Sequence, residues 1–479
     1  MTGEEGRDRF FVLVVLAALV TRVYALFATK GFLHPDNLYQ LLEPAHRLVF
    51  GYGIIPWEYV YGMRSWFQPL MIAAVFKLGV LFGVGDILSL IFINRCIMVL
   101  FSLALLYVIY EMALALYGRK SATYALFFAV FSPILWLWSA DVNYHTPSTL
   151  FATAALLLFY LGWKDNSERC YLLSGLSLGV AFMFRFDSLL FLIPLGIYAL
   201  VGGRFNGLQY FIFGLVAVVL VQGVLDLLTW GSFLHSPIEF FRSNLLQGRS
   251  SSYFGSDPFY YYFGVLVLQL TCLFLLPFAL ERRVEFNFLA VTFASFLLIY
   301  SLIPHKEPRF MIPLLPIISI MAGRGMERMR KTYGGLTLYI LVAATVYVSF
   351  TVTEAFGWQN YWRESEAMNY VGRQPDATGV AYSMYWYKVG GYTYLHNSMP
   401  VVFIGDRTTD PVLNDVNCDR SDMDFIGFQC SPLESVMSEG KINYIVTDKQ
   451  TIGTTIASNG FTRVRGFGNV TVYSRPGKP

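Results

Sequence analysis

Long apolar stretches separated by short polar loops make up most of this chain. A helix needs roughly 20 apolar residues to cross a bilayer, and on that criterion the pattern predicts about eleven spans. Their predicted starts lie near Phe10, Leu88, Ala122, Pro147, Tyr171, Leu189, Leu208, Phe263, Phe286, Met311 and Leu336. The pattern therefore predicts a polytopic α-helical membrane protein.

The basic residues of the loops predict the orientation of these spans. They gather in Gly118-Arg119-Lys120, Lys164 to Arg169, Arg204, Arg282-Arg283 and Arg324 to Lys331, which the positive-inside rule places in the cytoplasm. One apolar segment, Leu70 to Val84, is short and interrupted by Lys77, so we interpret it as a helix at the outer interface. The polar loops with candidate chemistry then all lie on the extracytoplasmic side.

The character of the chain changes near Phe356, where strand-like runs replace apolar helices. Examples are Val401 to Ile404, Tyr444 to Val446 and Val470 to Tyr473. We predict two domains, a transmembrane catalytic domain at residues 1–355 and an extracytoplasmic α/β domain at 356–479.

Two features of this C-terminal domain concern covalent modification. Cys418 and Cys430 are placed to form a disulfide, and free thiols are an equal alternative. Asn469 heads a glycosylation sequon, a triplet that also occurs by chance.

Composition agrees with a membrane protein and excludes other classes. Hydrophobic residues make up 55% of the 479 positions and charged residues only 14%, a balance that no soluble domain of this length needs. The net charge of +3 is small and scattered, so we expect no nucleic-acid partner. No zinc-like spacing of cysteine and histidine appears, so no metal site is predicted.

The first outer loop contains the leading catalytic candidate, Asp36. A carboxylate at the membrane surface is able to take the proton of a sugar hydroxyl, as transfer from an activated sugar requires. The alternative interpretation is that Asp36 caps the helix that begins at Asn37, and both roles are compatible. Gln40, Glu43 and Arg47 recur at three- and four-residue spacing, which places them on one face of this helix.

A second polar cluster, His305 to Phe310, interrupts the late apolar segments. His305, Lys306 and Arg309 supply three cations where the phosphate of a sugar donor would gain negative charge, and Glu307 is placed to orient one of them. The competing interpretation is an interfacial loop whose cations extend to lipid headgroups. Its extracytoplasmic position argues against this, because most such cations in the chain are cytoplasmic.

Other polar residues of the outer loops are candidates for substrate contact or for support of the site. For Arg185 and Asp187, a structural ion pair is at least an equal explanation. The full set is His34, Asn37, Gln40, Glu43, Arg64, Asp141, His145, Arg185, Asp187 and Glu307.

These motifs resemble those of a known family. The first outer loop resembles the first luminal loop of the family 22 glycosyltransferases. The matching positions are His34-Pro35-Asp36, Glu43 to Arg47, Gly51 to Gly53, Trp57-Glu58 and Arg64-Ser65. The later His305 to Phe310 resembles the family's His-Lys-Glu-x-Arg-Phe signature. The family includes the GPI mannosyltransferases and the lipid-linked oligosaccharide mannosyltransferases of the endoplasmic reticulum.

The resemblance implies a GT-C-type helix bundle that transfers mannose from dolichyl phosphate mannose, a polyprenyl phosphate donor, to a lipid-linked or glycan acceptor. It also implies an inverting single displacement with no metal or cofactor, catalysed on the luminal or extracytoplasmic side. Asp36 matches the catalytic acidic residue, and His305, Lys306 and Arg309 match positions near the donor phosphate. The family commonly has Glu after this Asp, whereas this chain has Asn37, which puts any second carboxylate in doubt.

Two other functions remain open from the sequence. A lipid or lipid-linked-sugar flippase also has many spans, although it would more often show charges near mid-membrane. The third alternative is a GT-C enzyme with another donor sugar or a protein acceptor, because the shape of the pocket sets the sugar and no spacing in the sequence reveals it. Membrane lipids surround the chain in each case, in the endoplasmic reticulum of a eukaryote or the plasma membrane of a prokaryote.

Overall fold

The computed structural model describes residues 5–202, 207–268, 284–358, 360–404, 429–438 and 440–476. The chain divides into two compact units. The first unit contains Met1–Phe27, Ser65–Phe67 and Arg95–Trp358, and the second contains Ala28–Arg64, Gln68–Asn94 and Gln359–Pro479.

Helices dominate the chain up to Phe356. In the described residues they are Glu5–Ala28, Asn37–Leu42, Glu43–Phe50, Trp57–Val60, Phe67–Leu81, Ile87–Tyr117, Arg119–Val130, Pro133–Leu137, His145–Asp165, Glu168–Phe184, Phe186–Phe191, Leu192–Gly202, Leu208–Trp230, His235–Phe241, Arg242–Leu246, Arg249–Phe254, Tyr261–Leu268, Val284–Leu302, Pro308–Leu314 and Leu315–Phe356. Asn37–Leu42 and Arg242–Leu246 are π-helical, and Phe186–Phe191 and Pro308–Leu314 are 3₁₀ turns.

Six helices of the described chain are long and apolar enough to cross a membrane. They are Arg9–Ala28, Ile87–Tyr117, His145–Asp165, Leu208–Trp230, Pro308–Leu336 and Leu338–Ala355. Shorter apolar helices occupy Phe67–Leu81, Phe186–Val201 and Phe288–Leu302. Leu100 and Tyr107 are each 64% exposed, as expected of side chains that face lipid. The chain is an integral membrane protein, and the total of eleven spans stays a prediction.

Two features of the sequence shape these helices. Gly334 has a φ of 81°, a conformation that glycine adopts without strain, and it forms a kink within Leu315–Phe356, just before the boundary between the spans Pro308–Leu336 and Leu338–Ala355. Most of the segment interpreted as interfacial, Leu70 to Val84, lies in the helix Phe67–Leu81, which at 15 residues is too short to span a bilayer upright.

Helix packing in the first unit depends on small residues. The helix Glu168–Phe184 packs between His145–Asp165 and Leu208–Trp230. A Cβ atom on Gly175 would overlap the carbonyl oxygen of Phe211, and one on Gly214 would overlap that of Leu172. Only glycine permits this close approach of two backbones, which is how membrane helices often associate.

The second unit contains a six-stranded sheet. Its strands are β1 (Val380–Ser383), β2 (Val401–Ile404), β3 (Gln429–Ser431), β4 (Tyr444–Thr447), β5 (Thr462–Phe467) and β6 (Val470–Ser474). They lie in the order β3-β2-β1-β4-β6-β5. The pairs β3–β2, β2–β1 and β1–β4 are parallel, and β6 is antiparallel to both β4 and β5.

Helices of the second unit cover this sheet and connect its strands. They are Trp362–Gly372, Trp386–Lys388, Gly391–Leu395, Leu433–Ser438, Gln450–Ile452 and Gly453–Ser458. One apolar core joins Ala381 and Ile445 of the central strands to Val436, Ile456 and Phe461. Burial of such side chains stabilises the fold by roughly 25 cal/mol for each Å² of apolar surface removed from water.

The polar first loop also belongs to the second unit. Its main feature, which we call the first-loop helix, is the continuous pair Asn37–Leu42 and Glu43–Phe50. Leu38, Leu42 and Ala45 are buried, and the helix ends at Gly51, which has a φ of 83°.

The predicted division between residues 355 and 356, and the pairing of Cys418 with Cys430, stay predictions. Cys418 lies outside the described residues.

Candidate functional site

The candidate residues fall into two groups, one in each unit. The first unit contains Asp141, His145, Arg185, Asp187, His305, Lys306, Glu307 and Arg309. The second contains His34, Asp36, Asn37, Gln40, Glu43 and Arg64. The structure brings most members of each group into contact with a partner in the same unit.

In the first unit, Arg309 lies in the 3₁₀ turn that begins at Pro308 and is 5% exposed. Its Nε and Nη2 donate to the two carboxylate oxygens of Glu307, at 2.6 and 2.7 Å. Its Nη1 donates to the hydroxyl of Tyr144, at 3.2 Å. The Nε2 atom of His305 lies 3.1 Å from the same carboxylate of Glu307. The bidentate contact fixes the guanidinium plane, which a point charge such as lysine could not provide.

Lys306 has a different environment from its two cationic neighbours. It is 4% exposed, and its ammonium donates to the carbonyl oxygens of Ile303 at 2.6 Å, Asp257 at 2.9 Å and Pro304 at 3.4 Å. An ammonium has three hydrogens to donate. In this structure Lys306 therefore joins the His305 loop to the segment that contains Asp257, and its predicted contact with phosphate stays a prediction.

A second arginine of the first unit, Arg185, forms a similar arrangement. It follows the helix Glu168–Phe184, and its guanidinium donates to both carboxylate oxygens of Asp187. Its Nη1 lies 2.7 Å from Nδ1 of His145, and the hydroxyl of Tyr300 donates to Asp187. The ion pair that the sequence left open is present.

Shared aromatic neighbours connect these two arginines. The Arg185 guanidinium lies 5.2 Å from the ring centroid of Tyr144 and 5.8 Å from that of Phe310. The Arg309 guanidinium lies 5.7 Å from the Phe310 ring and bonds to the Tyr144 hydroxyl. We call the group Tyr144, His145, Arg185, Asp187, Tyr300, His305, Glu307, Arg309 and Phe310 the arginine cluster. It presents two oriented guanidiniums, each balanced by one carboxylate, which is chemistry suited to an anion such as phosphate.

Asp141 lies in the loop before the helix His145–Asp165 of the same unit. It is 1% exposed, and its carboxylate accepts the backbone N–H of Val142, at 3.0 Å. Neighbouring Asn143 accepts the backbone N–H of Thr146 at 2.8 Å, and this bond holds the first turn of the helix His145–Asp165. These contacts shape the loop that presents Tyr144 and His145.

In the second unit, Asp36 heads the first-loop helix and its side chain is 25% exposed. Among the described residues its carboxylate makes no hydrogen bond that caps this helix. The backbone N–H of Asp36 donates to Nδ1 of His34 at 3.2 Å, and its Oδ1 lies 3.5 Å from that nitrogen. His34 and Asp36 are therefore in direct contact at the head of the first-loop helix.

The helix that follows Asp36 is lined with buried polar groups. Asn37 is fully buried and Gln40 is 3% exposed. The Gln40 carbonyl accepts the hydroxyl of Tyr59, at 2.8 Å. Its side-chain Oε1 is buried and has no hydrogen-bond partner among the described residues. π-Helical turns such as this one occur frequently at functional sites.

Glu43 is fully buried, in contrast to Asp36. Its carboxylate accepts the backbone N–H groups of Ile54 at 3.1 Å, Tyr392 at 3.1 Å and Thr393 at 2.9 Å. The Thr393 hydroxyl donates a fourth hydrogen bond at 2.6 Å. Burial raises the pKa of the Glu43 carboxyl, and the four donated hydrogen bonds oppose this shift. A carboxylate so enclosed joins two parts of the second unit and is not accessible to a substrate.

Two histidines support the same contact between the first-loop helix and the helix Gly391–Leu395. Nε2 of His46 lies 3.0 Å from Nδ1 of His396. Burial lowers the pKa of His46 to about 3 and also lowers the pKa of His396. Both rings are therefore neutral at pH 7.

Arg64, at the end of the first loop, is paired within the second unit. Its Nε donates to Oε1 of Glu58 at 3.0 Å, and its Nη2 contacts the same oxygen. Neighbouring Ser65 belongs to the first unit, where its hydroxyl donates to Gln222 at 3.0 Å. Gln222 donates in turn to the buried carboxylate of Asp226, at 2.8 Å.

Sequence reasoning missed several residues that complete these groups. Tyr300, Tyr392 and Thr393 contact candidate residues, and His396 contacts His46 of the first-loop helix, but none of the four belongs to a recognisable motif. Their only signal is polarity beside an apolar or strand-like run. Within the described chain, no group of three His, Cys, Asp or Glu residues has the arrangement of a metal site.

Comparison with known sequences gives a consistent result. The sequence model of the Alg9-like mannosyltransferase family matches residues 13–396. GPI mannosyltransferase 3 of Yarrowia lipolytica is 28% identical over 404 residues, which cover 83% of this chain and 77% of that protein. GPI alpha-1,2-mannosyltransferase 3 of Xenopus laevis is 28% identical over 326 residues, 66% of this chain and 60% of that protein.

The fold is also similar to that of a solved structure. ArnT from Cupriavidus metallidurans, crystallised bound to undecaprenyl phosphate, superposes with a TM-score of 0.69 over 97% of each chain, at 13% identity. At that identity the similarity concerns the fold, which is of the GT-C type.

Proposed function

The chain belongs to the Alg9-like mannosyltransferase family, and we propose that it transfers mannose from dolichyl phosphate mannose to a GPI precursor glycolipid. The family match covers the first-loop helix and the arginine cluster, both of which lie between residues 13 and 396. Relatives named for GPI mannosyl transfer support the acceptor class, and the name of the Xenopus relative supports an α-1,2 linkage.

The observation that carries the mechanism is the contrast between two carboxylates of the first-loop helix. Glu43 is fully buried and accepts four hydrogen bonds, so it cannot reach an acceptor. Asp36 is 25% exposed at the head of the same helix. We assign Asp36 as the general base, because a base must reach the proton that it removes.

The proposed reaction is a single displacement. Asp36 accepts the proton of an acceptor hydroxyl, and the hydroxyl oxygen forms a bond to the anomeric carbon of mannose. The bond between that carbon and the phosphate oxygen breaks, and dolichyl phosphate leaves with the electron pair. The new bond forms on the opposite face, so the anomeric configuration inverts. The proton on Asp36 is then lost to solvent.

We assign donor phosphate binding to the arginine cluster of the first unit. Negative charge grows on the phosphate as the bond breaks, and oriented guanidiniums stabilise that charge. Arg309 and His305 are the proposed contacts. Glu307 holds both at 2.6 to 3.1 Å, so its proposed role is to position them. Asp187 positions Arg185 in the same manner.

The binding of undecaprenyl phosphate by ArnT, whose fold is similar, supports a polyprenyl phosphate donor. We propose that catalysis takes place on the luminal face of the endoplasmic reticulum, the side to which the loop charges assign Asp36 and the arginine cluster. No metal or cofactor enters the proposed reaction.

The test uses the full chain reconstituted in nanodiscs, with radiolabelled dolichyl phosphate mannose and a purified GPI precursor. We expect label in a new glycolipid with wild type and a loss of at least 10²-fold in kcat for Asp36→Asn, with the donor KM unchanged. Asp86→Asn, a change to an aspartate that is 42% exposed in the same unit, is the matched control and should transfer normally.

The outcomes separate the alternatives. Equal transfer by wild type and Asp36→Asn would remove Asp36 as the base. Donor binding without transfer by wild type would contradict the acceptor assignment. Movement of an intact labelled lipid across the bilayer, without transfer, would show a flippase.

A further inference from the structure

The sheet of the second unit reverses its strand order beside β1. The chain moves outward from β1 to β2 and β3 and then returns to β4 on the other side of β1. In open parallel sheets, ligands bind outside the carboxyl ends of the strands at such a switch point. The loops concerned here begin at Ser383, the last residue of β1, and at Thr447, the last residue of β4.

The loop after β1 presents three consecutive aromatic residues, Tyr385, Trp386 and Tyr387, and all three are partly exposed. The rings of Tyr385 and Tyr387 stack with centroids 5.2 Å apart and an interplanar angle of 17°. Trp386 lies 5.9 Å from Tyr387. Partly exposed rings on a loop at the carboxyl ends of the central strands provide flat apolar surface, which suits the C–H face of a hexose.

Charged groups from both loops lie beside these rings. Nζ of Lys388, in the β1 loop, lies 2.9 Å from the carboxylate of Asp448, which directly follows β4. Lys388 also lies 5.3 Å from the Tyr385 ring centroid. The pair is partly exposed, at 25% and 12% of the respective side chains. An ammonium and a carboxylate together offer a donor and an acceptor to sugar hydroxyls.

A polar atom at the end of β1 adds an independent observation. Ser383 is fully buried, and its hydroxyl oxygen has no hydrogen-bond partner among the described residues. Buried hydroxyls in folded proteins normally have a partner, because an unsatisfied one destabilises the fold. This hydroxyl lies where the switch-point rule places a ligand.

The aromatic loop is tied directly to the helix that begins after Asp36. The hydroxyl of Tyr39 donates to the carbonyl oxygens of Trp386 and Val389, at 2.9 Å each. The rings of Tyr39 and Trp386 lie 5.7 Å apart. Because Tyr39 is three residues from Asp36, the proposed base and the aromatic loop belong to one connected region of the second unit.

We propose that the loops at the carboxyl ends of β1 and β4, with Tyr385, Tyr387, Lys388 and Asp448, bind the terminal hexose of the acceptor. The inference rests on the proposed function for the identity of that acceptor. The two tyrosines stack on the sugar, the ion pair bonds to its hydroxyls, and Tyr39 fixes their position relative to Asp36.

The test measures acceptor and donor KM for the double variant Tyr385→Ala/Tyr387→Ala in nanodiscs. We expect the acceptor KM to rise about tenfold or more, with the donor KM and kcat within twofold of wild type. Tyr385→Phe/Tyr387→Phe keeps the rings and should restore the acceptor KM. Tyr370→Ala, which removes a half-buried tyrosine that contacts Phe467 on edge strand β5, is the control.

An unchanged acceptor KM in the double variant, or an equal rise in donor KM, would overturn the inference while leaving the proposed function intact. If wild type does not transfer to a GPI precursor, the proposed function fails and a second measurement decides this site. Saturation-transfer NMR with methyl α-mannopyranoside should then give a signal with wild type and Tyr370→Ala that the double alanine variant lacks. Equal signals, or none with wild type, would contradict it.

Should the double alanine variant fail to fold, Asp448→Asn provides the same test through the ion pair. We expect a three- to tenfold rise in acceptor KM, and no change would count against the site.

Discussion

In both the arginine cluster of the first unit and the Glu43 contact of the second, a carboxylate accepts several hydrogen bonds. The two regions differ in how far apart in sequence the carboxylate and its donors lie. Arg309 and Glu307, like Arg185 and Asp187, are two residues apart in sequence. Glu43 and Thr393 are 350 positions apart. A short-range pair orients a cation within one loop, whereas a long-range carboxylate joins two segments of a fold. We therefore expect changes to the cluster to affect reaction rate first, and changes at Glu43 to affect stability first.

The largest expected effect follows from Arg309→Met. The change removes a guanidinium oriented by two bonds to Glu307, so the charge that develops on the leaving phosphate loses a partner. We expect transfer to fall about 10²- to 10³-fold, which corresponds to about 3–4 kcal/mol in the activation free energy. Initial rates at saturating donor and acceptor measure the loss.

Two further variants sharpen this result. Arg242→Met, which changes an arginine that is 59% exposed in the same unit, should transfer as wild type does. Lys306→Met should lower thermal stability more than rate, because its ammonium holds three carbonyl oxygens. A large rise in donor KM for Lys306→Met would instead support the phosphate contact predicted from sequence.

The next effect concerns Glu43→Ala. Four donors in the second unit would lose their acceptor, and buried donors without partners cost roughly 1–3 kcal/mol each, though not additively. We expect the free energy of unfolding to fall by about 3 kcal/mol or more. Thermal unfolding of the full chain in nanodiscs measures this.

The control for Glu43 is Glu434→Ala, because Glu434 is exposed in the same unit. It should unfold as wild type does. If Glu43→Ala unfolded as wild type does but transferred mannose more slowly, the expected contrast with the arginine cluster would be wrong. Glu43 would then have a direct role in catalysis.

The sequence separation of contacting residues in these two regions also explains which contacts could be predicted from the sequence. The Arg309 and Arg185 pairs were open to sequence reasoning because both partners lie within one short polar motif, as His305 to Phe310 shows. The first loop follows from its local polarity, and the strands at Val401, Tyr444 and Val470 follow from short runs rich in β-branched and aromatic residues. The six long apolar helices follow from hydropathy in the same way.

The partners of Glu43 and His46 were hidden because nothing local distinguishes Thr393 or His396 from other polar residues. Only the three-dimensional path of the chain brings them to the first-loop helix. For the same reason Lys306 looked like a free cation in sequence, since the carbonyl oxygens that it contacts carry no side-chain signal.

The smallest expected effect is a dependence of stability on pH through His46. Burial lowers its pKa to about 3 in the folded chain, while the usual value in an unfolded chain is about 6.5. Below pH 6.5, His46 binds a proton in the unfolded chain but not in the folded chain. Stability is therefore full above pH 6.5 and falls as the pH drops toward 3, by up to about 1.4 kcal/mol per pH unit for this group.

Neighbouring ionisable groups also influence the protonation of His46 and His396. His396 contacts His46 directly, and Asp86 and Arg373 act on His396 with opposite charge. His46→Gln cannot take up a proton, so between pH 6.5 and 5.5 its unfolding free energy should fall by about 1 kcal/mol less than that of wild type. Thermal unfolding in nanodiscs across this range measures the difference. If the unfolding free energies of the two proteins fell in parallel with pH, the folded chain would tolerate a protonated His46 between the first-loop helix and Gly391–Leu395. The long-range contact of His46 would then be weaker than that of Glu43.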